Sequence, residues 1–337
     1  MFVLSTGWFK SLAFKRWAKP QGSQGDEVGA ASYRSSPSAS ALSDVPVEVT
    51  FQDLCQWRAQ APLLPLSRLL AHAARIPGQH LSPRFGRGMD FKESRIYQPG
   101  DDPRHLDWKL TARTGRPHTK LYHEERERPV HLFIDQASHL QFGRCASKAV
   151  LAANTAALLA WALLIQGERI GGAVRGSQSE SWLPIRRGES AVVQLLHQLV
   201  QHNQQLSALT PAVPGALDAH LQQLPQHCSR DTLIFLISDF RDLGHYTLLK
   251  RLAHQHRLVL IHLIDPLDEA LPAINAPIDQ GLGPQPLNTQ ARQHWQQQHK
   301  RHRQQLAQQV LGSGGYLALR SDQPLLRQLS GDIAETS

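Results

Sequence analysis

Cysteine is scarce in this chain. Cys55, Cys145 and Cys228 lie far apart in 337 residues and fit no metal or redox spacing. That excludes a disulfide framework and a zinc knuckle and suits a reducing compartment, so a cytoplasmic location is expected. Several catalytic motifs are missing as well. No G-x-x-x-x-G-K-[ST] run offers a phosphate cradle, and no G-x-S-x-G elbow presents a serine. The Gly86/Gly88 and Gly281/Gly283 pairs lack the dinucleotide fingerprint. A phosphoryl-transfer enzyme that begins with Asp135 would need a second acid two residues on, where Ala137 stands.

A basic face is lacking from the folded part. The formal charge is +8, yet residues 1–120 hold 17 Lys and Arg against 10 Asp and Glu, which leaves 19 against 18 for the rest. Four of the surplus cations, Lys10, Lys15, Arg16 and Lys19, stand in the first twenty residues. Nucleic-acid binders show a basic stripe interleaved with aromatics, so nucleic acid is not the expected partner. The 18 histidines are scattered, and the His254/His256 and His299/His302 pairs read as surface residues rather than ligands.

Long apolar runs are also few. Residues 1–20 mix Phe2, Trp8, Phe9, Leu12, Phe14 and Trp17 with four cations. That pattern suits either a disordered leader or a membrane-surface helix over residues 1–19, and no cleavage site marks a secretory signal. Residues 21–44 are rich in Ser, Gly and Ala and read as linker. The segment 149–165, AVLAANTAALLAWALLI, is near the minimum length for a bilayer span. Asn154 and Thr155 interrupt it and a strand-like run follows at once, so a helix buried against a sheet is expected, with no transmembrane segment.

What is present is an alternation of elements. Helices are expected over 47–57 and 63–76. Beyond them come strands at 130–134, 169–174, 232–237 and 257–264, an edge strand at 179–185 and a late strand at 316–319. Helices are expected between them at 147–165, 190–202, 216–224, 243–254 and 290–311, with a closing helical turn at 324–329. Apolar strands alternating with helices call for an α/β fold, a parallel sheet with helices on both faces. Ligands of such sheets bind beyond the strand carboxyl ends, where Asp135, Asp239 and Asp265 fall. The expected domains are a leader and linker over 1–44, a small α+β domain over 45–128 and the α/β domain over 129–335.

Between Gly86 and Asp135 the chain is dense in Arg, Asp and Glu, with Tyr97 and Trp108 among them. Pro99-Gly100-Asp101-Asp102 has the chemistry of a turn. The mixture of guanidiniums, carboxylates and aromatics predicts a partly buried hydrogen-bonded network. The run closely resembles the domain-of-unknown-function family 58, whose pattern is close to R-x-Y-x-P-G-D-D-x-R-x-I-D-W-x-x-x-A-R. Arg95, Tyr97, Pro99, Gly100, Asp101, Asp102, Arg104, Asp107, Trp108, Ala112 and Arg113 match it, with Leu106 in place of Ile.

That resemblance implies a von Willebrand factor A-like domain partnered by a MoxR-type AAA+ ATPase and its client proteins, in the assembly or maturation of other complexes. It makes the chain a non-enzymatic adaptor; a metal-dependent hydrolase and a membrane-surface scaffold are the alternatives. It also implies a Mg²⁺ site at a D-x-S-x-S motif, with Asp135 and Asp239 as the metal residues. Mg²⁺ wants six hard oxygens. Here Ala137 and His139 fill the hydroxyl positions, and Ser138 and Thr210 are out of register. The site is therefore degenerate, and the other reading is that Asp135 and Asp239 cap helices or bind arginines from the signature segment.

Overall fold

The structure, a computed structural model, describes residues 48–66, 90–123, 128–141, 143–177, 179–206, 215–230, 232–271, 277–279, 284–286, 289–310 and 314–330. The expected leader and linker, most of the helix expected over 63–76, and Thr210 lie outside them. Two compact units are present: Pro77–Arg128 forms one, and Met1–Ile76 with Pro129–Ser337 forms the other.

The first described helix, α1 (Phe51–Gln60), starts at a capping box. The Thr50 hydroxyl accepts the Asp53 amide, and the Asp53 carboxylate accepts the Thr50 amide at 2.9 Å. Two amides that lack helical partners are thereby satisfied. The smaller unit then pairs β1 (Asp90–Ile96) antiparallel with β2 (His118–His123), with α2 (Trp108–Thr114) between them. This is the small α+β unit expected for the signature.

The larger unit is built on β3 (Pro129–Gln136), α3 (Lys148–Ile165), β4 (Arg169–Gly176), β5 (Glu180–Arg186), α4 (Glu189–Gln204) and α5 (Ala216–His227). It continues through β6 (Leu233–Ser238), α6 (Thr247–Gln255), β7 (Arg257–Ile264) and the short α7 (Pro266–Glu269). A small hairpin of β8 (Pro277–Asp279) and β9 (Pro284–Pro286) follows, then α8 (Thr289–Val310), β10 (Gly314–Arg320) and α9 (Leu325–Leu329). The six-stranded sheet runs β10-β7-β6-β3-β4-β5, parallel except for β5 at one edge. It is the parallel sheet with helices on both faces that the sequence implied. Every residue of β6 is buried, as a central strand covered on both sides requires.

Two apolar clusters cover the sheet. One gathers α1, α3 and α4 around Ile134, Phe235 and Ile261; the other gathers α5, α6 and α8 around Phe133, Leu236 and Leu260. Among the described residues α3 alone is long and apolar enough to cross a membrane by length and composition, and most of it is buried. Its Asn154 and Thr155 are satisfied by protein: the Trp57 indole donates to Asn154 Oδ1 at 3.0 Å, and the Thr155 hydroxyl donates to the Leu151 carbonyl at 2.7 Å, while the Trp161 indole donates to the Leu54 carbonyl at 3.2 Å.

Those contacts redraw the expected domain over 45–128. Helix α1 belongs with the α/β unit, because Leu54 and Trp57 pack on α3. The histidine expectation also needs correction. His254 is exposed, but His256 is buried and its Nδ1 meets the Ser229 carbonyl at 2.9 Å. His299 and His302, three apart on one face of α8, turn toward His262 of β7, with ring centroids 6.0 and 5.6 Å away.

Strand β4 lies very close to β3. A Cβ on Gly172 would stand 2.6 Å from the Leu132 carbonyl oxygen, a backbone atom that has no room to give. Gly172→Ala is expected to lower stability by about 1–3 kcal/mol, the usual range for overpacking, in urea denaturation.

Candidate functional site at the strand carboxyl ends

Parallel strands deliver their last residues to one edge of the sheet. Asp135 is the penultimate residue of β3 and Arg175 of β4; Ser238 ends β6, and Asp265 follows β7 directly. The turn after β6 adds Asp239, Arg241 and Asp242, and α7 adds Asp268. All five carboxylates are buried, none more than 7 % exposed. A buried carboxylate is costly unless it is paired and hydrogen-bonded, so the partners decide what this cluster is.

Two protein cations sit inside it. The Arg175 guanidinium forks between two acids: Nη1 donates to Asp135 Oδ2 at 3.2 Å and Nη2 donates to Asp242 Oδ2. Asp135 is completed by the Ser238 hydroxyl at 2.7 Å on Oδ2 and the Ala137 amide at 3.1 Å on Oδ1. Lys148, the first residue of α3 and fully buried, donates to Asp239 Oδ2 at 2.5 Å and reaches Asp268 at 3.3 Å. The other Asp239 oxygen meets His139 Nε2 at 3.0 Å and accepts the Arg241 amide at 3.2 Å. Arg241 also pairs with Asp268, and its guanidinium stacks 4.7 Å over the Trp295 ring. Asp265 caps α7 and accepts the Arg144 amide at 2.9 Å.

The turn itself is strained. Phe240 is fully buried with φ of 55°, a left-handed conformation that a bulky side chain adopts only when its surroundings impose it. Its amide donates to Ser238 Oγ at 3.0 Å, which ties the turn to the serine already holding Asp135.

Electrostatics follow this geometry. Burial alone would raise Asp239, but Lys148 and then His139 hold its carboxyl well below the usual range. Asp268 is lowered against its own burial by Lys148 and Arg241. Asp242 is raised, first by burial and further by the Asp135 charge, against the pull of His139 and Arg175. Burial would push His139 down, yet Asp239, Asp242 and Asp135 raise it above the ordinary histidine value. Behind the turn, His302 Nε2 meets the Asp239 carbonyl at 3.0 Å, while His262 and His299 are lowered mainly by burial, His299 to about 4.

Asp135 and Asp239 therefore stand at the strand ends where the sequence put them, but the residues do not fit Mg²⁺. Each has an oxygen committed to a protein cation, and Ala137 and His139 supply no hydroxyl oxygen. Ser138 is buried in the turn that follows β3. A different trio, Asp135, His139 and Asp242, brings one ligand atom from each residue within 4.8 Å of the others, and Arg175 already bridges two of them. Sequence reasoning missed Lys148, Arg175, Arg241, Asp242 and Asp268. The available signal was a lone charge inside an apolar element: Lys148 opens KAVLAANTAALLAWALLI, and Arg175 interrupts the buried IGGAV run.

The signature residues form a different and more open arrangement in the smaller unit. Arg95 Nη2 donates to Asp101 Oδ1 at 2.7 Å, and Asp101 Oδ2 accepts the Gln98 amide. Gly100, at φ of 109°, lets the Pro99–Asp102 turn form, and Asp102 accepts the Arg104 amide. Asp107 caps α2 through the Leu110 amide and accepts the Ser94 hydroxyl at 2.7 Å. Tyr97 is half-buried, and its amide donates to the Pro117 carbonyl. Arg104 and Arg113 are exposed and Trp108 is 71 % exposed, so the expected partly buried network is corrected to a local set of turn and cap bonds.

Comparison with known proteins places the chain in a family. The model of the family "Protein of unknown function DUF58" matches residues 93–305, and the chain belongs to that family. It is 31% identical over 201 residues to Uncharacterized protein Rv1480 of Mycobacterium tuberculosis (strain H37Rv) and to Uncharacterized protein Mb1516 of Mycobacterium bovis. Each match covers 59% of this chain and 62% of the relative, so it spans less than two thirds of the curated relatives' length. Among solved structures, the conserved hypothetical protein BatB from Bacteroides thetaiotaomicron aligns over 60% of this chain and 96% of its own, with 13% identity and a TM-score of 0.35.

Two measurements probe the site. Lys148→Met leaves Asp239 and Asp268 short of their shared cation in a dry interior, with an expected loss of about 3–5 kcal/mol in urea denaturation. The pH dependence is set by histidines of opposite sign. His299, lowered to about 4 by burial, stays neutral when folded and takes up a proton on unfolding below the ordinary histidine value of about 6.5. It therefore removes stability as pH falls from about 6.5 toward 4. His139, being raised, contributes stability that is full below 6.5 and is lost as pH rises through its folded value. His299→Leu should flatten the fall in stability between pH 6.5 and 4.5, and an unchanged slope would show that His299 does not set it.

Proposed function

We propose that this chain is a non-enzymatic binding module that acts with a MoxR-type AAA+ ATPase in assembling or maturing other protein complexes, in the cytoplasm. The observation that carries this reading is the state of the strand-end acids. Asp135, Asp239, Asp242, Asp265 and Asp268 are buried, and each is held by a cation, a hydroxyl or an amide. A general acid, base or nucleophile must reach substrate, and all five of these side chains are buried. These carboxylates instead stiffen the edge of the sheet where α/β domains meet their ligands. Rigid edges of this kind suit docking, which loses least when the surface is preorganised.

The choice of partner rests on the resemblance carried by the Arg95–Arg113 signature. The three cysteines are unpaired, in keeping with a reducing compartment. The test is affinity capture with the full chain from native cells, with ATP or ADP present. Nucleotide-dependent retention of a MoxR-type ATPase is expected. Phosphoester turnover by the isolated chain, abolished by Asp135→Asn, would establish the hydrolase alternative instead.

A further inference from the structure

Arg175 holds the position that a cation takes in a carboxylate cluster. Its two arms reach Asp135 and Asp242, residues brought together by the end of β3 and the turn after β6, and the side chain is only 4 % exposed. Around that guanidinium stand the ligand atoms of Asp135, His139 and Asp242, all within 4.8 Å of one another. Two polar atoms in this trio lack hydrogen-bond partners among the described residues: Asp242 Oδ1, whose side chain is 4 % exposed, and His139 Nδ1. A buried carboxylate oxygen without a donor is unusual, and it marks coordination capacity that the protein leaves unused.

The wider charge balance points the same way. Among the described residues four of the five buried carboxylates at this edge pair with three permanent cations, Lys148, Arg175 and Arg241, and His139 stands between Asp135 and Asp239. We infer that Arg175 is a tethered substitute for a divalent cation, so that this face is assembled without metal, and that removing its side chain converts Asp135, His139 and Asp242 into a cation site. Arginine suits the substitution because its charge is permanent and its planar fork spans two carboxylates. The uncovered donor set, two carboxylates and an imidazole, favours Mn²⁺ or Zn²⁺ over Mg²⁺, since imidazole is a poor ligand for the harder ion. None of this depends on which partner the domain binds.

Mn²⁺ titration of the full chain, stripped with chelator and followed by electron paramagnetic resonance, decides the matter independently of any capture result. Wild-type protein should show no Mn²⁺ binding that Asp135→Asn removes, and its thermal unfolding should be the same with and without Mn²⁺. Arg175→Ala should bind Mn²⁺ at least about tenfold more tightly than wild type, a change of about 1.4 kcal/mol, and adding Asp135→Asn should abolish that gain. If Arg175→Ala does not fold, Arg175→Gln, which keeps an amide donor beside Asp135, carries the same expectation. Wild-type Mn²⁺ binding that is lost in Asp135→Asn would overturn the inference, as would a folded Arg175 variant that gains none.

Discussion

A parallel sheet gathers the ends of its strands on one edge, and this chain has placed carboxylates at or just beyond three of them. Each buried carboxylate would cost several kcal/mol if left alone, and mutual repulsion would add to that. The compensation comes from two residues in unlikely positions: a lysine that is the first residue of an otherwise apolar helix and an arginine near the end of a buried strand. Lys148 neutralises Asp239 and Asp268 across 91 and 120 residues of sequence, and Arg175 joins Asp135 to Asp242. Between Asp239 and Asp242 the chain holds Phe240 in a left-handed conformation, its amide bonded to the serine that also holds Asp135.

The apolar core sets where those cations can reach. Ala149, Ala152, Ala153, Ala156 and Ala157 are all fully buried, so α3 lies deep, and its start brings Lys148 into the acid cluster. On β4, the glycines at 171 and 172 permit the close approach to neighbouring backbone that a side chain would prevent. That approach fixes the register in which Asp135 pairs with Arg175 across adjacent strands. Packing and electrostatics are therefore one constraint here: a shift of β4 would leave two acids unpaired. Histidines supply the outer support, His302 holding the Asp239 carbonyl and Tyr246 in turn holding His302.

How much of this was legible in the sequence depends on which physical signal each residue gives. Strands such as TLIFLI and RLVLIHLI announce themselves because a strand covered on both faces must be continuously apolar. The strand-end acids were legible for the same reason, since each closes such a run. Lys148 and Arg175 were not, because a charge in an apolar run reads as an interruption until its partners are known, and those partners lie 40 to 120 residues away. His299 and His302 were misread because polar neighbours on α8 outnumber them, while one face of the helix still turns inward. The place of α1 depended on indole hydrogen bonds to α3 that no local pattern encodes.

The signature and the charged edge answer different questions. Within the smaller unit, Arg95, Gly100, Asp101, Asp102 and Asp107 are consumed by a turn and two caps, and they explain a local backbone shape. Such bonds identify a family well, because each residue type is dictated by the geometry it serves. The charged chemistry of this chain lies at the sheet edge, where Ala137 and His139 supply no hydroxyl oxygen and Arg175 ties Asp135 to Asp242. Without Arg175, Asp135 and Asp242 would be two neighbouring buried acids with no shared cation. A guanidinium tethered to β4 holds these acids together from β3 and from the turn after β6, and its charge is permanent, so the edge keeps its geometry without drawing on anything from solution.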